Sequence, residues 1–108
     1  MSNSPQTIEE AVIALKNMAG AKLTEALKMD VDKFVGSCHA NIGMWIRNNW
    51  GLWAETGPLH ADLKSKGFIH ADDMSGVILR AFYFESKNQT FNVDEYSKEC
   101  VEYWKQYN

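Results

Sequence analysis

Residues 30–51 read DVDKFVGSCHANIGMWIRNNWG, and this stretch decides the fold. Its apolar side chains recur at spacings of three and four residues, which place them on one face of an α-helix. Asp30 is of the type that caps a helix start, and Gly51 is of the type that ends a helix. The stretch therefore predicts one long amphipathic helix, and the predicted buried face consists of Val31, Phe34, Val35, Cys38, Ile42, Trp45 and Ile46.

Two glycines, Gly36 and Gly43, lie seven residues apart on one side of this predicted helix. A glycine inside a helix costs about 1 kcal/mol relative to alanine. We therefore expect both glycines to mark places where another backbone approaches closely.

Similar start and stop signals divide the rest of the chain. Thr7 and Glu10 have the spacing of a capping box at the start of the first helix. A short second helix is expected at 23–29. A further helix begins at Pro58 and ends at Gly67. The sequence predicts an all-α, compact single-domain bundle of four to six short helices. Residues 1–6 are expected to form a disordered tail and residues 7–108 the helical domain, with helix starts at Thr7, Asp30, Pro58, His70 and Asn92.

The composition suits one small domain with a core of its own. Of the 108 residues, 45% are hydrophobic, and the net charge is −3, with 11 basic and 14 acidic side chains. Without a basic cluster, nucleic acid is not an expected partner, because neutralising phosphates supplies much of that affinity. No signal peptide and no run of about 18 apolar residues is evident. We expect a cytoplasmic protein that does not enter a membrane, with Cys38 and Cys100 as buried, reduced thiols.

The sequence contains no recognisable catalytic or metal-binding motif. Cys38 and His39 are adjacent, but neighbours on a helix point about 100° apart and cannot form a dyad. His60, His70, Asp72 and Asp73 carry donor atoms, yet their spacing matches no standard zinc or calcium site. Asp72 and Asp73 fit the acidic first turn of a helix, with His70 as its cap. We therefore expect no enzyme, no catalytic residue, no bound metal and no cofactor.

Residues 45–53, WIRNNWGLW, combine three tryptophans with an arginine and two asparagines. One interpretation buries Trp45 with Trp50 or Trp53 and lets Arg47 reach solvent. A second is a recognition surface, because Trp and Arg are enriched at binding hot spots. A third is an internal pair between Arg47 or an asparagine and the acids of residues 70–75. The candidate binding residues are Arg47, Asn48, Trp50, Trp53, His60, His70, Asp72 and Asp73.

These segments resemble those of an uncharacterised bacterial family of small helical domains. Its members share the pattern RNxWGLW followed by HPDDMS, and this chain has RNNWGLW at 47–53 and HADDMS at 70–75. The chain departs from the pattern at Ala71, where the family has proline. Proline there would be the first helical residue, which agrees with His70 as the cap. The resemblance covers residues 42–82 and implies no known activity.

The leading functional hypothesis is a non-enzymatic protein-binding or inhibitory module of the immunity, antitoxin or phage anti-defence type. Its partner would be another protein or a second copy of this chain. The acidic balance and the aromatic side chains of the last helix favour this hypothesis. The alternative is a helical domain that binds a small ligand or nucleotide between residues 47–53 and 70–75. The aromatic side chains of the last helix that favour the protein-binding hypothesis are Tyr96, Tyr103, Trp104 and Tyr107.

Overall fold

A computed structural model describes residues 4–54 and 57–106, and this part of the chain contains helices and no strand. A π-helical turn, His39–Gly43, joins two of the helices into one continuous element. Counted in that way, the described residues form six helices, so the predicted all-α class is confirmed. The α-helical segments are labelled α1 (Ile8–Met18), α2 (Ala21–Ala26), α3 (Val31–Cys38), α4 (Met44–Asn49), α5 (Pro58–Ser65), α6 (Ala71–Ser86) and α7 (Val93–Lys105). Segments α3 and α4, with the π turn between them, count as one of the six helices.

The predicted helix starts are confirmed. Thr7, Asp30 and Asn92 each precede a helix, and each side chain accepts a backbone N–H three residues further on at 3.0–3.1 Å. Such caps satisfy amides that have no partner inside the helix. Pro58 is the first residue of α5, where its missing N–H costs nothing. His70 stands at the cap position of α6, but its side chain makes no capping hydrogen bond.

Three helices, α4, α5 and α6, are followed by a residue in the left-handed backbone region. Gly51, Gly67 and Asn88 have φ values of 73°, 103° and 57°. In each case the N–H of the following residue reaches back to the carbonyl five positions earlier, at 2.8–3.3 Å. This bond satisfies a carbonyl that the ending helix leaves open. Gly51 and Gly67 therefore stop helices as the sequence predicts.

Helix α6 lies at the centre of the molecule and packs against α1, α3, the π turn, α4 and α7. It is buried on more than one side because helices surround it, so its buried surface is wider than the single stripe typical of a surface helix. Peripheral polar contacts hold the other helices in place. Asp62 of α5, for example, accepts the Ile8 amide at the start of α1 at 3.0 Å. The buried residues of α6 are Ala71, Met74, Ser75, Gly76, Val77, Ile78, Leu79, Phe82 and Tyr83.

The π turn changes which side chains face the core after it. It accommodates one more residue than an α-helical turn, and each extra residue rotates the following positions by about 100°. Arg47 is consequently buried and Trp45 exposed, whereas Ile46 is buried as predicted. The prediction that Trp45 belongs to the core, with Arg47 reaching solvent, is therefore wrong.

The prediction for the two glycines is also corrected. Gly36 is exposed, and a Cβ atom there would meet nothing within 4 Å. Gly43 is crowded, but by the Arg47 side chain and the Cys38 carbonyl, each 3.1 Å from an added Cβ, and both belong to the same continuous helix. Neither glycine marks contact with the backbone of a different helix.

Replacing Gly36 with alanine should raise the free energy of unfolding by about 0.5–1 kcal/mol, since alanine favours the helix and meets no obstacle. Urea denaturation measures the change. Gly43→Ala is the matched control, because the same helical gain there is opposed by crowding against Arg47. Equal stabilisation by both substitutions would contradict this account of the two positions.

The predicted tail and thiols are described in part. Residues 1–3 lie outside the described residues, while Pro5 is buried and the amide of Gln6 donates to the Glu10 carboxylate at 3.0 Å.

Cys38 and Cys100 are both free and buried, as predicted. Burial also raises the pKa of both thiols, so they stay protonated at neutral pH.

Candidate functional site

Arg47 connects α4 to the start of α6 from inside the protein. Its side chain is 4% exposed, and its two terminal nitrogens donate to the Ser75 hydroxyl at 2.8 Å and the His39 carbonyl at 2.9 Å. Its Nε lies 3.5 Å from Asp72. The predicted pairing of Arg47 with an acid of residues 70–75 is therefore present. Because the guanidinium is a planar fork of donors, its two terminal nitrogens reach acceptors on two different elements, whereas Nε is buried and makes no hydrogen bond.

The π turn and Arg47 depend on each other. The turn places the His39 carbonyl within reach of Arg47, which lies eight residues further along the chain. Gly43 leaves the space that the guanidinium occupies. The irregular turn is thus accommodated by a side-chain hydrogen bond that an uninterrupted α-helix would not need.

A second contact joins the start of α6 to α7. The Trp104 indole N–H donates to Asp73 at 2.6 Å, and its ring stacks on His70 with 3.7 Å between the ring centres. Tyr103 packs edge-on against Trp104 at 5.1 Å and 86°. Two aromatic rings therefore lie at right angles beside the acidic first turn of α6, and Trp104 is held there by Asp73 and His70.

A groove of about 420 Å³ lies between the start of α6 and α7, and we call it the α6–α7 groove. Its volume is in the range of small-molecule and side-chain pockets. Burial raises the pKa of Tyr96, one of its lining residues, to about 12, so its hydroxyl stays neutral at physiological pH. Three carboxylates and three aromatic rings line the groove: Asp72, Asp73, Glu99, Tyr96, Tyr103 and Trp104.

A second hollow, of about 490 Å³, lies between α2 and the helix that follows it. Its lining mixes the aliphatic side chains of Leu23, Ala26 and Ile42 with polar ones, and it contains no carboxylate, no aromatic ring and none of the predicted site residues. The α6–α7 groove is the stronger candidate because it combines charged and aromatic groups that point to a defined chemistry.

The tryptophan segment is divided between core and surface. Trp50 is buried and packs edge-on against Trp45 at 5.5 Å. Trp53 is 62% exposed, and its indole N–H donates to Asn48 at 2.8 Å. Asn48 and Trp53 therefore form an outer pair of their own, away from the Arg47 contacts.

His60 has a structural contact. It is buried, and its Nδ1 lies 3.1 Å from the Leu52 carbonyl. Since a carbonyl can only accept a hydrogen bond, Nδ1 carries the proton. The histidine thus fastens α5 to the connection that follows α4.

The predicted site residues therefore fall into several groups. Arg47 meets Asp72, and Asp73 meets His70 through Trp104, so the start of α6 carries both contacts. The remaining candidates do not join them: Asn48, Trp50, Trp53 and His60 have separate partners. The sequence pattern indicates the α7 aromatics but not Glu99, because no motif marks that residue.

Residues 4–54 and 57–106 bring together no group of three or more His, Cys, Asp and Glu side chains able to hold a metal ion. In the same residues, every helix is too short or too polar to cross a membrane.

Fold and site together define a small all-α domain with a central helix and an acidic, aromatic groove on its surface. The chain belongs to the family described as a domain of unknown function (DUF6794), whose sequence model matches residues 4–85. This confirms the resemblance to an uncharacterised domain family and extends it beyond residues 42–82. Helix α7 lies outside the matched residues. Neither the curated proteins nor the solved structures contain a match.

Proposed function

We propose that this domain is a non-enzymatic protein-binding module whose docking surface is the α6–α7 groove. The observation that carries the proposal is the combination of three aromatic rings with three carboxylates in one open groove. Aromatic side chains dominate binding hot spots because they bury much area at a low cost in conformational entropy. Tyr103, at 52% exposed, offers such a side chain at the groove.

The size and acidic balance of the chain agree with small helical inhibitors such as immunity proteins, antitoxins and phage inhibitors of host defence. Size and charge indicate only this class of protein, whereas the α6–α7 groove specifies where the partner would bind. A cytoplasmic location belongs to the same proposal, and two buried free thiols suit a reducing compartment.

The alternative, a small-ligand or nucleotide site at Arg47, has less support. A phosphate would need a guanidinium with free donors. Arg47 is buried, and both of its terminal nitrogens already donate to Ser75 and His39. Trp53 and His70 also have separate partners.

Substituting Tyr103 with alanine should weaken partner capture at least tenfold, in line with loss of one hot-spot residue. Tagged protein is used as bait in cells of its source, and retained proteins are quantified by mass spectrometry. Ile13→Ala is the control, because Ile13 is a similarly exposed apolar residue that does not line the groove. Thermal unfolding confirms that both variants fold.

Two results would contradict the proposal in different ways. If the unsubstituted bait retains no partner above background, protein binding itself is wrong. If Tyr103→Ala and Ile13→Ala retain the same partner equally well, the docking surface lies elsewhere. Trp53→Ala then tests whether the partner docks on the surface around the exposed Trp53.

A further inference from the structure

We propose that the α6–α7 groove binds an arginine side chain presented by the partner protein. The inference rests on the proposed function and names the chemistry that the groove recognises. It depends on the charge of the groove, on the geometry of its aromatic rings, and on the arginines of this chain.

The lining of the groove carries three acidic residues and no basic one. Asp72 and Glu99 are exposed, and one oxygen of Asp73 accepts the Trp104 indole N–H. Burial raises the pKa of the Cys100 thiol, which also lines the groove; Asp73 and Glu99 raise this pKa further, whereas Tyr96 and Arg80 lower it. A cation entering the groove would meet carboxylates on both of its sides, since Asp72 and Asp73 belong to α6 and Glu99 to α7.

The Trp104 ring is positioned before any ligand arrives. Trp104 is held by its bond to Asp73 and its stack on His70, and Tyr103 stands at a right angle to it. A fixed ring face costs little entropy when a cation stacks on it. The protein already shows this type of contact at the same helix, where the Arg80 guanidinium lies 4.7 Å from the centre of the Tyr96 ring.

Arginine suits this arrangement better than lysine. A guanidinium can stack its plane on a ring while its edge donates to carboxylates, whereas an ammonium is a compact and strongly hydrated point charge. The groove therefore selects a planar cation with several donors. Lysine should bind more weakly by the same reasoning.

A second copy of this chain cannot supply the arginine. The chain has two arginines, Arg47 and Arg80. Arg47 is buried in its internal contacts, and Arg80 donates to Asp32 at 3.0 Å while it covers Tyr96. The occupant is therefore a side chain of a different protein.

Titration of the ¹⁵N-labelled protein with N-acetyl-arginine amide tests the inference by NMR. We expect saturable shifts of the Trp104 indole N–H, whereas the Trp53 indole should not move. N-acetyl-citrulline amide, which has nearly the same shape and no charge, should cause no saturable shift. N-acetyl-lysine amide should bind at least threefold more weakly, and added salt should weaken both cations.

A matched pair of substitutions on α7 locates the site. Glu99→Gln removes a charge that lines the groove, and Glu102→Gln removes one from the same helix outside it. The first should weaken arginine binding at least threefold, and the second should leave it unchanged. Neither residue is buried, so both variants should fold.

The inference is overturned if citrulline binds as well as arginine, if lysine binds equally well, or if the two glutamine variants behave alike. Protein binding would still stand if Tyr103→Ala abolished partner capture in that case. Conversely, arginine binding without any captured partner would remove the proposed function and leave a groove that recognises guanidinium.

Discussion

Replacing Arg47 with alanine is expected to lower the free energy of unfolding by about 3 kcal/mol and the melting temperature by the order of 15 °C. The substitution removes two short hydrogen bonds from a charged donor, to Ser75 and to the His39 carbonyl. It also leaves space where a buried side chain had packed, which adds to the cost. Urea denaturation followed by circular dichroism measures the loss.

Asp72→Asn should cost much less, about 1 kcal/mol, because the 3.5 Å pair involves a carboxylate that is 59% exposed. Lys16→Ala, which removes an ion pair between exposed side chains, should change stability by less than about 0.5 kcal/mol. If the losses in stability follow this order, the buried hydrogen bonds of Arg47 supply most of the stabilisation. An Asp72→Asn loss as large as that of Arg47→Ala would show instead that the ion pair dominates.

Replacing Gly67 with alanine is expected to lower the free energy of unfolding by about 3 kcal/mol. Gly67 has a φ of 103°, which is strained for any residue with a Cβ. An added Cβ would also collide with the Ser97 hydroxyl, which donates to the Lys66 carbonyl at 2.5 Å. The loss therefore has two causes, and denaturation of paired variants separates them.

Gly51→Ala isolates the first cause. Gly51 has a φ of 73°, yet an added Cβ there would meet nothing within 4 Å, so we expect a loss of only about 1–2 kcal/mol. Ser97→Ala isolates the second, because it removes the hydroxyl that the new Cβ would meet. In that background Gly67→Ala should cost about 1 kcal/mol less than in the unsubstituted protein. An unchanged cost would exclude the collision with Ser97.

The candidate site could be predicted only in part. Asp72 and Asp73 were recognisable as helix-start acids, and the α7 aromatics as a surplus, but as separate features. Their meeting depends on how α7 packs against the start of α6, which involves residues about 31 positions apart. No local pattern encodes that distance. Glu99 resembles any other surface glutamate until the groove is formed.

The helices themselves follow from the sequence, because caps and stops act over three to five residues. Thr7, Asp30 and Asn92 satisfy nearby amides, and Gly51 and Gly67 adopt a backbone region that other residues avoid. These interactions are local, so they can be recognised without knowing what each helix packs against. The all-α class follows from them together with the apolar periodicity.

The tertiary structure decides which side chains of residues 44–51 are buried. Regular periodicity places Trp45 inside and Arg47 outside, whereas the π turn reverses both. That turn is accommodated because Arg47 bonds the His39 carbonyl and reaches Ser75, which is 28 residues away on α6. A local pattern determines that a helix forms. A distant partner determines which of its side chains are buried, because burying a charge is costly unless hydrogen bonds and an opposite charge compensate for the lost water.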